Sequence, residues 1–554
     1  MIRVFQLWFI IQEATEELIV NAFLNEIKGN YKVNRILNKK LLLIIFGISG
    51  MTALIYEIIW IRPLSLVFGT TIYAVSTIVA SFILGLAVGS WVAGRYTDRL
   101  RNPLRYFAFT QLGVGFYGIL LLPIFGALPD VYMVLYQATF PNQSVFMFIQ
   151  ILMSIAMISI PATLMGTTLP LMMKTYSEEF TTVGKDVGKL DASNSFGAVV
   201  GTLAAGFLLI PILGIQNSII VTASINVIMG IIILSTKKYL KYRYLAIIVI
   251  IVIPFFMLIP NYDYKTLSLG LWAHGDPDVT MEVYESLLEK SEILFYKESL
   301  YQSVMVSSNE DFTLLKLNSK SQCSTLESTS HGLVRLAFFP YELYEYNYGK
   351  PQTALTVGLG CGFTSKAFSS LVETTTIEID PVIVEANKFF YDEIDHRLII
   401  DDARNWLVRN DERFDIITTQ PSDPYQNSGM LFTKEFFSLL NSRLTENGVV
   451  SQWVPVFEMT TEDFHMFYNT FSSVFPHVYA YQMERDNLTQ IIIIGSQKEL
   501  KIKENDLYLF SNRELQRVDT ELNTDDRPFI EFSSAIQIYN KQPHPIEVTL
   551  IESP

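Results

Sequence analysis

Seven long apolar runs follow one another in the first half of the chain, at about residues 41–61, 71–94, 106–128, 145–172, 193–213, 217–236 and 244–260. Most reach the ~20 residues that an α-helix needs to cross a bilayer core, so they predict a polytopic α-helical membrane domain of six or seven spans. The last run has 17 residues and contains Pro254. From residue 262 the rhythm changes. ILFYKESLYQSVMV and FTLLKLN alternate as short strands around the turn SSNED, and the helical stretch STSHGLVRLAFFPYELY follows, which predicts a small β-lobe with a linking helix over 262–345. Over 346–540 apolar strands alternate with helical segments, the pattern of a mostly parallel, Rossmann-like α/β sheet. Residues 1–40 precede the first run as an N-terminal segment.

Half of the 554 residues are hydrophobic and the mean hydropathy is +0.29, as membrane spans require. Charge is shared unevenly. Residues 1–260 hold 18 Lys+Arg against 11 Asp+Glu, a balance of +7, while the remainder hold 23 against 44, a balance of −21. The acidic half excludes nucleic acid as a partner, because phosphate binding needs a basic face. The N-terminal tail and the loops after the second, fourth and sixth runs carry 17 Lys+Arg, whereas the other three loops carry only Arg62. By the positive-inside rule the N-terminus is cytoplasmic, in a multi-pass cell-membrane protein. Seven full crossings put 262–554 outside the cytoplasm; six, with 244–260 lying in the interface or re-entering, put them inside. A domain that uses a cytosolic co-substrate is expected inside, and Lys237, Lys238, Lys241 and Arg243 ahead of the short run agree with that. The two cysteines, Cys323 and Cys361, give neither a disulfide framework nor a metal-binding spacing, and no metal is expected.

Within the first two runs, small residues recur at Gly85, Gly89 and Gly94, a spacing that lets helices approach closely. Glu57 is an intramembrane carboxylate, with Arg62 just over one turn later. Two readings are open: a polar pocket or proton path, or a structural ion pair near the membrane edge.

The chemistry is concentrated further on. In TALTVGLGCGFTSKAF an apolar strand runs into Gly358, Gly360 and Gly362 and then into a helix, where free N–H groups favour a nucleotide-type ligand. The next strand, TTTIEID, ends in Glu378 and Asp380, 20 residues after Gly358 in the case of Glu378, where a carboxylate accepts both ribose hydroxyls. RLIIDDARNWL brings Asp401 and Asp402 before Ala403, to accept from an adenine amino group or to cap the helix. The strand DIITTQ leads into Gln420-Pro421-Ser422-Asp423-Pro424. In a doubly wound sheet all four strand ends converge on one ligand.

Together these residues resemble the spermidine synthase family of polyamine aminopropyltransferases, and most closely its membrane-fused branch. The likeness runs over roughly 45–540, through SGMTALIYEIIW, ESLYQSVMV, VGLGCG, IEIDP, DDARNWL, QPSDP, LFTKEFF and NTDDRPFIEF. It implies decarboxylated S-adenosylmethionine as co-substrate, with the aminopropyl group passed to a diamine such as putrescine and methylthioadenosine released. It also implies that Glu378 binds the ribose, that Asp402 and Ala403 lie along the adenosyl moiety, and that Gln302 closes over the ligands. Three departures stand out. Cys361 replaces the family's diamine-gripping Asp, Gln420 replaces the proton-accepting first Asp of D-x-x-D-P so that Asp423 alone remains, and Gly332-Leu333 replaces a Tyr-His pair, with His331 one residue before.

Buried ammonium groups need carboxylate partners, and general-base help is typically worth ~10²–10⁴-fold, so a neutral Gln420 makes putrescine a poor substrate. Glu458 is the substitute base to consider, with Trp453 and Phe457 as aromatic walls, against the alternative of an exposed loop glutamate. The leading expectation is a membrane-anchored transferase using S-adenosylmethionine or its decarboxylated form on an amine acceptor, with Asp423, Gln420 and Glu458 as the catalytic candidates. The alternatives are a methyltransferase, a non-catalytic sensor and a transporter with a regulatory domain. A homo-oligomer is left open.

Overall fold

A computed structural model of the chain describes residues 39–68, 72–139, 142–177, 182–236, 286, 290–421, 428–456, 459–484, 487–503 and 520–530. The run 244–260 lies outside the described residues. The N-terminal half is a helical bundle: α1 (Lys39–Phe68), α2 (Ile72–Tyr96), α3 (Pro103–Thr139), α4 (Gln143–Gly166), α5 (Thr168–Tyr176), α6 (Val183–Ala204) and α7 (Ile210–Thr236), with a π-helical turn, Ala205–Leu209, between the last two. Among the described residues five helical stretches are long and apolar enough to cross a membrane by length and composition; the fifth, Val183–Ser235, includes α6 and α7. Within it Gly214 leaves the helix at φ 74°, ψ 177°.

Cross-helix contacts fix the directions. Ser193 donates to the Leu43 carbonyl (2.7 Å) and Gly201 lies against Met51, so α6 runs parallel to α1. Gln111 donates to Ser49 (2.8 Å) and Gly118 faces Tyr56, so α3 is parallel as well. By contrast Gly115 meets Ala223 and Gly230 meets Ala108, so α7 runs back, and the chain reverses between α6 and α7. This matches the two separate apolar runs, 193–213 and 217–236. Gly85 and Gly89 press α2 onto α4 at Ser159, Thr163 and Gly166, as small residues permit. Gly94, expected in the same stripe, has no described neighbour within 4 Å of its missing Cβ. Nor does Glu57 pair with Arg62, whose guanidinium turns to another part of the chain.

The second half opens with an antiparallel sheet, β1 (Glu292–Glu298), β2 (Ser303–Ser308), β3 (Thr313–Leu317) and β4 (Lys320–Ser324), in that order. Asn318 and Ser319 join β3 to β4 with φ of 48° and 71°, the positive values a tight two-residue hairpin needs. Helix α8 (Glu327–Tyr348) leads to β5 (Thr353–Val357), α9 (Phe363–Ser369), β6 (Glu373–Glu378), α10 (Pro381–Asn387), β7 (Arg397–Ile400), α11 (Ala403–Arg409) and β8 (Phe414–Thr419). Next come α12 (Lys434–Ser442), β9 (Leu444–Val454), α13 (Thr461–Val474), β10 (His477–Glu484) and β11 (Asn487–Ser496).

The main sheet has the order β10-β11-β9-β8-β5-β6-β7. Strands β9 to β7 are parallel and β10–β11 close one edge antiparallel. Every residue of β8 is buried, which is why FDIITT reads as a continuous run rather than an alternating one. The predicted α/β Rossmann-like class with its small β-lobe is therefore the fold observed.

Candidate active site

Strand order reverses between β5 and β8, and ligands of such sheets sit at the carboxyl ends of the strands at that point. After β5 the chain turns through Gly358, Gly360 and Gly362 at φ 92°, 53° and 81°, left-handed values that favour glycine. The Gly358 N–H donates to the Ile377 carbonyl (2.9 Å) and the Gln420 N–H to the Val357 carbonyl (3.1 Å), which ties the loop to both neighbouring strand ends.

Glu378, at the end of β6, is buried and lines the cleft. Its carboxylate accepts from the Leu359 N–H (2.8 Å) and the Asp380 N–H (3.0 Å), so it braces the glycine loop from below. Burial raises its pKa, and the two N–H donors pull it partly back. Asp380 was expected beside it as a ligand-binding carboxylate. Instead it is fully buried behind the cleft. It caps α10 through the Val382 N–H (2.9 Å) and accepts from the Ser299 hydroxyl (2.6 Å) and the Gln302 amide (3.4 Å). Its carboxylate thus pins the β1–β2 loop to the sheet, and Gln302 is held at the cleft wall.

At the end of β7, Asp402 caps α11 by accepting from the Asn405 N–H (2.8 Å). Asp401 accepts from the Asp402 N–H (2.9 Å) and is paired with Arg409. Both line the cleft, as do Ala403 and Arg404. Arg404 is clamped by Asp525 through two hydrogen bonds of 2.5 and 3.0 Å, which brings the C-terminal NTDDRPF segment under the site.

Gln420 lines the same cleft, but its amide is committed. It donates to the Gly358 and Leu359 carbonyls (3.1 and 3.3 Å), and its oxygen lies 2.9 Å from the Thr364 hydroxyl, which also reaches the Leu333 carbonyl. Asp423, Phe457 and Glu458 lie outside the described residues. Trp453 forms a wall, its indole N–H donating to Gln490 (3.1 Å). Gly332 packs where a Cβ would lie 2.9 Å from Met483, so that side chain fills the space beside the helix; Leu333 lines the cleft, and His331 is an exposed residue 3.9 Å from Glu327.

The two cysteines, whose spacing suggests no disulfide, are in fact paired. Cys323 of β4 and Cys361 of the glycine loop form a disulfide, and both are buried. They lie 38 residues apart and meet because the β-lobe folds down over the loop, a tertiary contact with no signature in the spacing. The bond sits in the cleft wall, where the sequence placed Cys361 as a lone substitution.

The cleft holds about 680 Å³, ample for a nucleoside-sized ligand. Its described carboxylates, Glu378, Asp401 and Asp402, all belong to the β6 and β7 ends. The walls from β4, β8, β9 and β11 present Lys320, Gln322, the disulfide, Gln420, Trp453 and Gln490.

The spermine/spermidine synthase domain family matches residues 345–506. A polyamine aminopropyltransferase of Oceanobacillus iheyensis is 22% identical over 433 residues, covering 74% of this chain and 77% of that protein. One of Corynebacterium efficiens is 25% identical over 436 residues, covering 74% and 76%. The crystal structure of the spermidine synthase from Thermotoga maritima aligns at 20% identity over 43% of this chain and 84% of that one, with a TM-score of 0.31.

Proposed function

The chain is a spermidine synthase-like protein, and from that premise we propose that it is a membrane-anchored aminopropyltransferase with a conventional donor half and a rewritten acceptor half. The donor that suits the family is decarboxylated S-adenosylmethionine, whose sulfonium activates the adjacent carbon. An amine forms a C–N bond there, the C–S bond breaks, methylthioadenosine leaves and the amine gives up a proton. Glu378 accepts the ribose hydroxyls, Asp401, Asp402 and Ala403 flank the adenine, and Gln302 closes the lip.

The observation that carries this reading is the segregation of charge: every described carboxylate of the cleft stands on the β6 and β7 ends. The opposite walls offer a distal ammonium no described partner, and an unpaired buried charge is costly. Gln420, whose amide braces the loop, accepts no proton. The acceptor that suits these described walls is an amine without a second ammonium to be gripped, and Asp423 and Glu458 are the groups to test as its base. The helices of the first half anchor the domain to the bilayer.

Donor choice tests the proposal. Calorimetry on the purified full-length protein is expected to give tighter binding of decarboxylated S-adenosylmethionine than of S-adenosylmethionine. The reverse order would favour methyl transfer, and binding of neither would reduce the domain to a non-catalytic appendage.

A further inference from the structure

We infer that the synthase-like domain stands on the non-cytoplasmic face of the membrane, docked on the end of the helical bundle that lacks basic residues. The inference rests on the anchoring proposed above, that the helices cross a bilayer, and it opposes the cytoplasmic placement expected from a cytosolic co-substrate.

The bundle has two chemically distinct ends. Lys39 lies 5.1 Å over the Tyr176 ring and Lys174 lies 3.7 Å from Asp98, which gathers the start of α1, the end of α2 and α5 at one end. The starts of α3 and α6 and the end of α7 lie there too, by the helix directions above. Lys39, Lys40, Arg95, Arg99, Arg101, Arg105, Lys174, Lys185 and Lys189 all belong to that end. The opposite end holds the α1–α2 and α3–α4 connections and the α6–α7 reversal, and Arg62 is its one Lys or Arg among the described residues. A basic excess of this kind marks the cytoplasmic side.

The synthase-like domain touches the other side. Arg62 donates to the carbonyls of Ser299 (3.3 Å), Leu300 (3.1 Å) and Tyr301 (3.3 Å), in the loop that joins β1 to β2, and α7 packs against β1. The described chain leaves the bundle at Thr236, at the basic end, and the α/β half begins with β1 at the far end.

An independent observation agrees. Cys323 and Cys361 are bonded in the wall of the cleft, and structural disulfides persist in oxidising compartments but are rare in the cytosol. A permanently charged sulfonium donor does not cross a bilayer unaided. A reaction that yields it on that face, or a carrier that delivers it, must therefore supply this site.

The test is cysteine accessibility in the full-length protein, expressed in cells converted to right-side-out spheroplasts. Asp311→Cys lies in the exposed β2–β3 turn and Asn102→Cys is exposed at the basic end. A membrane-impermeant maleimide is expected to label Asp311→Cys in intact spheroplasts and Asn102→Cys only after permeabilisation. The unsubstituted chain is expected to label only after denaturation with a reductant. Labelling of Asn102→Cys but not Asp311→Cys in intact spheroplasts would overturn the inference, as would free Cys323 and Cys361 thiols in denatured, unreduced protein. Extraction of the protein by alkaline carbonate would instead defeat the anchoring itself, so the two failures are distinguishable.

Discussion

The Thr364 hydroxyl donates to the side-chain oxygen of Gln420 (2.9 Å), and the amide nitrogen of that glutamine donates hydrogen bonds to the carbonyls of Gly358 and Leu359. A residue that looked like a lost base is thus a brace for the glycine loop. An aspartate at 420 would turn a carboxylate toward two carbonyls and remove both donors. We expect Gln420→Asp to destabilise the protein by about 1–3 kcal/mol, the range for orphaned buried polar groups, and to leave aminopropyl transfer no faster. Thermal unfolding in detergent with a turnover assay checks both. Faster transfer would mean that position 420 reaches the acceptor as a base.

Glu378 carries a pH signature. Burial raises its pKa, so the folded protein binds a proton that the unfolded chain releases sooner, and ionisation within the fold costs stability as pH rises through the raised pKa. The bound ribose needs the ionised form. Donor affinity should therefore climb with pH from the ordinary carboxylate range upward and then level off. Glu378→Ala should weaken donor binding by roughly 1–3 kcal/mol, and Glu378→Gln should flatten the pH profile. Calorimetry across pH decides. A wild-type profile that is flat, or that falls with pH, would remove Glu378 from the ribose.

The Cys323–Cys361 bond closes a loop of 38 residues. A chain-entropy estimate for that length gives ~4 kcal/mol of stabilisation, with roughly 2–4 kcal/mol typical of measured bonds. The double substitution Cys323→Ser and Cys361→Ser should lower the unfolding temperature, and reducing the wild type should reproduce the loss. An unchanged midpoint in both would show that the bond does not hold the lobe to the loop.

What the residues disclosed in advance, and what they withheld, follows from the range of the interactions. The strand-to-loop-to-helix rhythm put Gly358, Glu378, Asp402 and Gln420 at successive strand ends, because period and turn chemistry are local signals. The reversal between α6 and α7 was likewise visible as two apolar runs. Asp380 shows the limit, because a cap and a ligand carboxylate look alike at the end of a strand and only the tertiary fold reveals its burial and its helix-capping bond. The disulfide was missed because its partners are 38 residues apart, on a lobe and a loop whose docking has no local signature.

An ion pair with Glu57 is one of the two readings the sequence offers for Arg62, yet the guanidinium reaches a loop 237 to 239 positions away. That loop also carries Ser299, bonded to Asp380 at 2.6 Å, and precedes Gln302 at the lip. Arg62→Ala should speed amide exchange across 299–302 and raise the donor KM several-fold with little change in kcat, and Arg62→Lys should recover part of the loss. Equal exchange in variant and wild type would leave Arg62 without a positioning role.

The most direct measurement is of the leaving group. Full-length protein incubated with decarboxylated S-adenosylmethionine and a panel of monoamines and diamines is analysed by mass spectrometry. The expected products are methylthioadenosine and an amine heavier by one aminopropyl group, formed better from acceptors with a single ammonium than from putrescine. Methylthioadenosine formed fastest with putrescine would contradict the rewritten acceptor half, and its absence with every amine would contradict aminopropyl transfer itself.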